Sequence, residues 1–493
     1  MSKPFLTKWP FLFKIRLILG LILLILVIIF LYFKVVPFGQ ISYQKSWPEF
    51  LHSGKGFVYN FSPPERINLQ NDDSAKIIGD PIYFSLFTPR TFDRAKLTIK
   101  YREKLSSQTP IIEAGVLVDK LVWRYDLQPL ENQIIDELRF NWRRIEEQGV
   151  MLLQLASDYN SLTELAEDLE RGLLKNCPGG PTSCLAVYNY QPDFQYRLTD
   201  QRRAEPVIID KPLRGAHQFY LYIKDEPLRL DFEFVDLNQD QGEDPITINL
   251  YSGDQILTSQ FLFDENLRPT SGEVEEKNLY LEEKKLPQGV YKIEVKVSND
   301  IVIRKITSSV NRLSFINKIW PVSTPGNLTL FTDTNYLQVK ALNPVSLQTI
   351  KFGGEDFELN ETYQQFDFET TSPAKVKEIK FLKDDLILEN SGVFAWTKEG
   401  LFNPGFKKVD RHFIPDETIR YIIARYEPPL DNGGIKKATA EFNLKGVYRE
   451  KGKYSFIISV PGLKAEDKID DYLEIKEIKI ELTGRTLWQK IFN

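Results

Sequence analysis

Short runs in which apolar and polar residues alternate dominate the chain. In Ala95–Tyr101 every second residue is apolar, and Lys96, Thr98 and Lys100 take the positions between. Lys292–Val297 alternates in the same way. Successive side chains of a strand point to opposite faces, so this period predicts antiparallel strands with one face in a core and the other in water. Turn residues separate the runs at intervals of about ten residues, which is typical of β-sandwiches.

Two segments have a helical period instead. Pro129 opens a candidate helix whose Leu130, Ile134 and Leu138 fall on one face. Ser161 begins a second one, predicted to run to residue 175, because Ser-Leu-Thr-Glu has the residues of a capping box. We therefore predict a small helical insertion in the first sandwich.

One apolar run is too long for a strand. Leu17–Phe33 contains no charged residue, and as a helix it would cover roughly 25 Å, which residues 34–36 extend toward the thickness of a bilayer core. No acid and four basic residues precede it, which by the positive-inside rule leaves the N-terminus in the cytoplasm. The four are Lys3, Lys8, Lys14 and Arg16. We predict a cytoplasmic tail at 1–16 and a transmembrane signal anchor at 17–36, with the bulk of the chain extracytoplasmic at the cell membrane.

A cleaved signal peptide is the alternative to an anchor. Small residues are expected at its cleavage site, but the first alanine of the chain is Ala75. The first cysteine is Cys177, so no lipid-attachment cysteine stands beside the span either. These absences favour an uncleaved anchor.

Prolines, glycines and gaps in the alternation suggest how the outer part is divided. Residues 37–78 lack sustained periodicity and are predicted to be a juxtamembrane stalk. Three β-sandwiches are then predicted at 79–195, 196–320 and 321–493, with Pro321–Gly326 as a linker. In the last strand region the alternation changes phase between residues 475 and 478, which predicts a β-bulge or two short strands.

Two stretches carry a weak family resemblance. Leu286–Val295, with its Leu-Pro-x-Gly-x-Tyr start, resembles a late strand of bacterial extracellular β-sandwich modules. Lys436–Leu463 resembles part of a galactose-binding-like jelly roll. The resemblance implies a mainly β fold of tandem, jelly-roll-like antiparallel sandwiches with a binding or structural role, and it transfers no site residue.

The composition and charge of the chain exclude several classes of partner and site. Residues 1–36 hold five basic residues and no acid, so the remaining 457 carry 58 basic and 68 acidic residues, a net charge of −10. An acidic surface repels nucleic acid, so no nucleic-acid partner is expected. Three histidines and two cysteines exclude most zinc sites. The chain has no H-E-x-x-H, G-x-S-x-G, Walker or G-x-G-x-x-G motif, so zincin, α/β-hydrolase and nucleotide chemistry have no support.

An acidic loop suggests calcium. Asp236, Asn238 and Asp240 have the D-x-N-x-D spacing that presents oxygens to a hard cation, and Asp244 adds another carboxylate. The stretch departs from an EF-hand loop, because Gly242 comes one place late and Thr247 stands where a glutamate belongs. A solvated acidic hairpin loop is the alternative to a calcium site.

The cysteine pair stands in a Pro/Gly-rich loop. Cys177 and Cys184 lack the further ligands that zinc needs. Outside the cytoplasm we expect them to form a structural disulfide, with two free thiols as the alternative.

Among the tryptophans, Trp396 is the candidate for stacking on a sugar ring, because it precedes a loop. Packing in the core is the alternative for each of them.

Together these features predict a membrane-anchored protein, held by residues 17–36, that binds a glycan, an envelope polymer or an envelope protein, or has a structural role. An accessory subunit of a membrane complex is the alternative. A carboxylate-dependent glycoside hydrolase is a further one, because the separation of two acids in space cannot be read from their spacing in sequence.

Overall fold

The fold is mainly β, as the alternation predicts. The computed structural model describes residues 11–35, 40–46, 58–69, 75–88, 91–121, 123–197, 206–224, 226–239, 243–253, 255–263, 274–323, 326–416, 418–464 and 471–484. Strands hold 51% of the chain and helices 11%. Contacts divide the chain into two compact units: the first comprises 1–120, 124–133 and 427–493, and the second comprises 121–123 and 134–426.

The elements are as follows in chain order. The N-terminal part holds α1 (Phe11–Val35), β1 (Gln40–Ser46), β2 (Val58–Ser62), a 3₁₀ turn (Pro64–Arg66), β3 (Ile67–Leu69), β4 (Ala75–Ile77), β5 (Ile82–Phe87), β6 (Arg94–Lys104), β7 (Ile111–Asp119) and β8 (Arg124–Asn132). Next come α2 (Gln133–Asn141), β9 (Arg143–Glu147), β10 (Val150–Gln154), α3 (Leu162–Glu170), α4 (Pro181–Cys184), β11 (Leu185–Tyr188), β12 (Val207–Ile209), β13 (Leu213–Arg214), β14 (His217–Ile223), β15 (Leu228–Asp236), β16 (Ile246–Ser252), β17 (Gln255–Leu262), β18 (Glu275–Glu283), β19 (Gly289–Lys296), β20 (Ile301–Ser308) and β21 (Leu313–Ile319). The remainder holds β22 (Leu328–Thr332), β23 (Tyr336–Ala341), a 3₁₀ turn (Pro344–Ser346), β24 (Gln348–Phe352), β25 (Glu355–Leu359), β26 (Gln365–Glu369), β27 (Lys377–Phe381), β28 (Leu386–Ala395), β29 (Lys407–Lys408), β30 (Tyr421–Ala424), β31 (Leu430–Asp431), β32 (Lys436–Asn443), β33 (Lys453–Ser459) and β34 (Tyr472–Thr483).

The N-terminal apolar run forms α1, a helix of 25 residues and roughly 37 Å. Its window Phe13–Phe30 has a mean hydropathy of 2.8, and none of that window is buried. Among the described residues it is the one helix long and apolar enough to cross a membrane.

The first unit is a sandwich of two antiparallel sheets. One has the order β3-β4-β34-β6-β32-β31, with β1 also paired to β34, and the other has the order β2-β5-β33-β7-β8. Leu97 and Ile99 of β6 share one buried core with Phe84 of β5 and Phe456 of β33. The predicted bulge in β34 is present, because its register against β6 shifts between residues 475 and 477.

The structure differs from the predicted stalk and boundaries. Residues 40–46, 58–62, 67–69 and 75–77 lie in strands, so the breaks in 37–78 separate short strands. Strand β6 pairs with β32 and β34, which places the C-terminal strands in the first sandwich. Strand β21 pairs with β28 across the boundary predicted at 320/321. Such long-range pairs leave no local signal in the sequence.

The helical insertion forms a small layered structure of its own. The mixed sheet β29-β11-β30-β10-β9 contains parallel pairs between β11 and both β29 and β30. Leu165 of α3 packs with Leu152 of β10, while Ile135 of α2 packs with Leu153. Since adjacent residues of a strand point to opposite faces, the two helices cover opposite faces of this sheet.

The starts of these two helices test the capping predictions. Helix α3 begins after Ser161, whose Oγ accepts a hydrogen bond from the backbone N–H of Glu164 at 3.1 Å, as a capping box requires. Helix α2 begins at Gln133 and not at Pro129, because Pro129 belongs to β8 and is paired with Glu113. The second helix was predicted to run to residue 175, but α3 ends at Glu170, and Leu173 beyond it is 70% exposed.

The rest of the second unit has two sheets around one large core. A five-stranded sheet has the order β12-β20-β15-β18, with β13 also paired to β20. A twelve-stranded sheet runs β17-β16-β19-β14-β21-β28-β22-β27-β24-β25, with β23 paired to β26 and β28. Phe232 of β15 and Phe219 of β14 belong to their shared core. The loops between these strands carry the candidate site.

Candidate metal centre

Three aspartates from separate segments converge at one end of the five-stranded sheet. Asp236 ends β15, Asp244 precedes β16 and Asp300 precedes β20. Each offers a carboxylate oxygen such that the three oxygens lie within 4.8 Å of one another, and all three residues are buried. Carboxylate oxygens at this separation could hold a cation.

The backbone around these acids explains their positions. Strands β15 and β20 are paired up to Asp236 and Ile301, so Asp300 falls beside the turn that follows β15. Asn238 has a positive φ of 48°, and its N–H donates to Asp236 Oδ1 at 3.0 Å. The N–H of Gln239 donates to Asp300 Oδ2 at 2.6 Å, and the Ser298 hydroxyl donates to Asp244. The turn therefore brings two carboxylates together through its own backbone.

One buried ammonium group offsets part of the charge. Lys277 Nζ of β18 lies 2.8 Å from Asp236 Oδ2, and the Lys277 side chain is only 7% exposed. Three buried carboxylates whose oxygens lie this close together are ligands that suit a hard cation such as Ca²⁺.

The structure brings together part of the predicted ligand set. Asp236 and Asp244 lie in the cluster, and Asn238 forms the turn between them. Asp240 lies outside the described residues. Sequence reasoning missed Asp300, which stands 56 positions after Asp244. Its place at the start of a strand, beside the turn that ends the paired strand, would have revealed it only if the β15–β20 pairing were known.

The predicted disulfide is present as a bond in the structure. Cys177 and Cys184 are joined through their sulfurs, with 5.9 Å between their Cα atoms. The bridge connects the turn before α4 to the last residue of α4, and both cysteines pack in the same core as Leu165 of α3.

Trp396 packs against the large core of the second unit, and its indole Nε1 is buried. Part of the ring is already covered by the protein, so ligand stacking stays a prediction for its exposed part. His217 begins β14 and is 3% exposed. His412 stacks on Tyr336 at 3.5 Å between ring centroids. His52 lies outside the described residues.

Comparison with known proteins gives little guidance. No family model matches the chain, and no curated protein is similar to it. The VP2 subviral particle of infectious bursal disease virus is similar over 92% of this chain and 81% of that one, with 11% identity and a TM-score of 0.15. Latent PorU of Porphyromonas gingivalis matches 62% of this chain and 32% of its own, with 8% identity and a TM-score of 0.17. At these scores neither likeness supports an inference about fold or function.

Proposed function

We propose that this chain is a single-pass membrane protein whose β-rich body lies outside the cytoplasm and serves as a binding or structural module at the cell envelope. The observation that carries the proposal is α1, of which the window Phe13–Phe30 has no buried residue. A bilayer would cover this apolar surface, whereas water would leave it exposed at a large free-energy cost. The basic, acid-free N-terminal flank supports a cytoplasmic N-terminus.

The body supports binding rather than histidine-dependent catalysis. Both described histidines have structural surroundings: His217 lies in a core and His412 stacks on a tyrosine. A disulfide at Cys177–Cys184 suits an oxidising compartment. The ligand class proposed is a glycan, an envelope polymer or an envelope protein. An accessory-subunit role would instead need α1 itself to bind partners, and replacing α1 with an unrelated apolar helix would then abolish function.

Labelling of engineered cysteines tests the topology. With the native pair bridged, Ser2→Cys and Ser252→Cys each add a single thiol, the second on the exposed end of β16. A membrane-impermeant maleimide is expected to label Ser252→Cys in intact cells and Ser2→Cys only after permeabilisation. The reverse pattern, or equal labelling of both in a soluble fraction, would overturn the proposal.

We also propose that Asp236, Asp244 and Asp300 hold Ca²⁺, which would stabilise the turn after β15. The support is the convergence of three buried aspartates whose carboxylate oxygens lie within 4.8 Å of one another. In full-length protein, CaCl₂ is expected to raise the melting temperature, since a ligand at about 100 times its Kd adds about 2.7 kcal/mol to the free energy of unfolding.

Two matched substitutions sharpen the calcium test. Asp300→Asn is expected to remove the calcium-dependent shift. Asp210→Asn, at an exposed acid next to Lys211, is expected to keep it. If the unmutated protein shows no shift between CaCl₂ and EDTA, the metal proposal fails.

A further inference from the structure

A polar cleft lies on the twelve-stranded sheet, away from the aspartate cluster in sequence. It has a volume of about 200 Å³ and is lined by Gln338, Val339, Lys340, Gln365, Ile387 and Glu389. That volume is below the roughly 300 to 1,000 Å³ of sites for drug-sized ligands. The cleft therefore suits one small molecule or one unit of a polymer.

Strand register explains why these side chains meet. Gln338 of β23 lies opposite Glu389 of β28, and Lys318 of β21 lies opposite Glu389 from the other side. In the next row, Lys340 lies between Ile387 and Gln365 of β26. Residues directly opposite in antiparallel strands share a face, so four strands present two adjacent rows of mainly polar groups.

Two acids on this face have opposite environments. Asp367 of β26 accepts hydrogen bonds from Tyr336 at 2.8 Å, from Gln338 at 3.1 Å and from Arg411 at 2.7 Å. The Glu389 carboxylate has no hydrogen bond and no ion pair within 4.0 Å among the described residues; burial raises its pKa, and the charges of Lys318 and Lys340 oppose that rise. Asp367 is thus satisfied by the protein, whereas the Glu389 carboxylate lines the cleft with its acceptor capacity unused.

The side chains that line the cleft indicate which class of ligand it can bind. Glu389 accepts hydrogen bonds, Lys340 donates them, and Gln365 does both. Ile387, which packs against a small apolar cluster of Val302, Trp320 and Val322, adds an apolar surface. The charges of Lys340 and Glu389, the two charged lining residues, sum to zero, so the cleft favours neither an anion nor a cation, and an apolar molecule would leave the polar groups unsatisfied. A neutral ring with several hydroxyls and an apolar C–H face matches all of these groups.

We propose that this cleft binds one neutral pyranose unit of a glycan, with Glu389 accepting hydrogen bonds from sugar hydroxyls. The inference names a ligand for the binding role proposed above and rests on it. The two can fail separately, because sugar binding does not depend on which side of the membrane the body occupies.

Saturation-transfer NMR on the full-length chain tests the proposal, in a polyoxyethylene detergent so that no sugar headgroup competes. The probes are the methyl glycosides of glucose, galactose, mannose and N-acetylglucosamine, with glucuronate and glucosamine as charged counterparts. At least one neutral glycoside is expected to bind more tightly than both charged sugars. A preference for a charged sugar, or no transfer to any neutral glycoside, would overturn the assignment.

Substitutions locate the binding. Glu389→Gln removes the charged acceptor with little change of shape and is expected to weaken binding at least about tenfold, the lower end of the range for a hydrogen bond to a charged group. Glu378→Gln, at an exposed glutamate on β27, is the matched control and is expected to bind as the unmutated protein does. Unchanged affinity in Glu389→Gln, with an unchanged melting temperature, would place the sugar elsewhere and refute the cleft.

Discussion

The buried imidazole of His217 makes the stability of the second unit depend on pH. Its Nδ1 lies 2.9 Å from the carbonyl oxygen of Gly215, and its Nε2 accepts the N–H of Trp320 at 3.2 Å. A proton on Nε2 would face that N–H without a partner. Burial, with a contribution from nearby Lys318, lowers the pKa of His217 from 6.5 to about 3. The folded state therefore keeps this histidine neutral down to about pH 3.

The size of the effect follows from the difference in proton binding. Between pH 6.5 and pH 3 the unfolded chain binds a proton at His217 that the folded chain does not. Each pH unit in this window costs about 1.4 kcal/mol, so the contribution is fully present above pH 6.5 and is lost as the pH falls. From pH 7 to pH 5 the expected loss is about 2 kcal/mol.

Urea unfolding of the full-length chain at both pH values, followed by circular dichroism, measures this loss. His217→Gln is the reference, because its amide does not titrate and the carboxylates contribute equally to both proteins. The unmutated protein is expected to lose about 2 kcal/mol more than His217→Gln between pH 7 and pH 5. Equal losses in the two proteins would show that His217 is protonated, or exposed, in the folded state.

Three further substitutions probe other parts of the structure. Lys436→Met leaves the Glu131 carboxylate, 2% exposed, without its ion-pair partner and is expected to cost about 3 kcal/mol in urea unfolding at pH 7, with Lys436→Met/Glu131→Gln recovering part of the loss. Reduction of the Cys177–Cys184 bridge is expected to cost about 2.5 kcal/mol in the chain-entropy model, seen as a lower unfolding midpoint with dithiothreitol that is absent in the double serine variant. Ser161→Ala removes the N-cap of α3 and is expected to lower the free energy of unfolding by about 1 kcal/mol. Ser161→Asp, which can still cap the helix, is expected to keep most of that stability, and equal stability of the two variants would contradict the capping role.

Local patterns predicted the local structure well. The alternation in 95–101 gives a strand whose Ala95, Leu97, Ile99 and Tyr101 are all buried. The phase change near 475 gives a bulge, and the capping residues at Ser161 give a helix start. Each of these depends on interactions within a few residues, which a sequence displays directly.

Long-range pairing was not predictable in the same way. Strand β6 pairs with β32 although Tyr101 and Lys436 are 335 positions apart, and nothing in either segment specifies the other. The candidate metal centre was only partly predictable for the same reason. Asp236 and Asp244 share a loop and were found together, whereas Asp300 reaches them only through the β15–β20 pairing.

The divided first unit has a consequence for the order of folding. At roughly 5 to 20 residues per second, the ribosome needs about 15 to 70 s to add the 335 positions that separate Tyr101 from its partner Lys436. Residues 134–426 form a continuous segment that is complete before then. During synthesis the second unit can therefore fold first, while β5, β6 and β7 wait with unpaired edges for β32 to β34. A chain truncated before residue 427 would keep those edges exposed permanently, and aggregation through the N-terminal strands would be its expected fate.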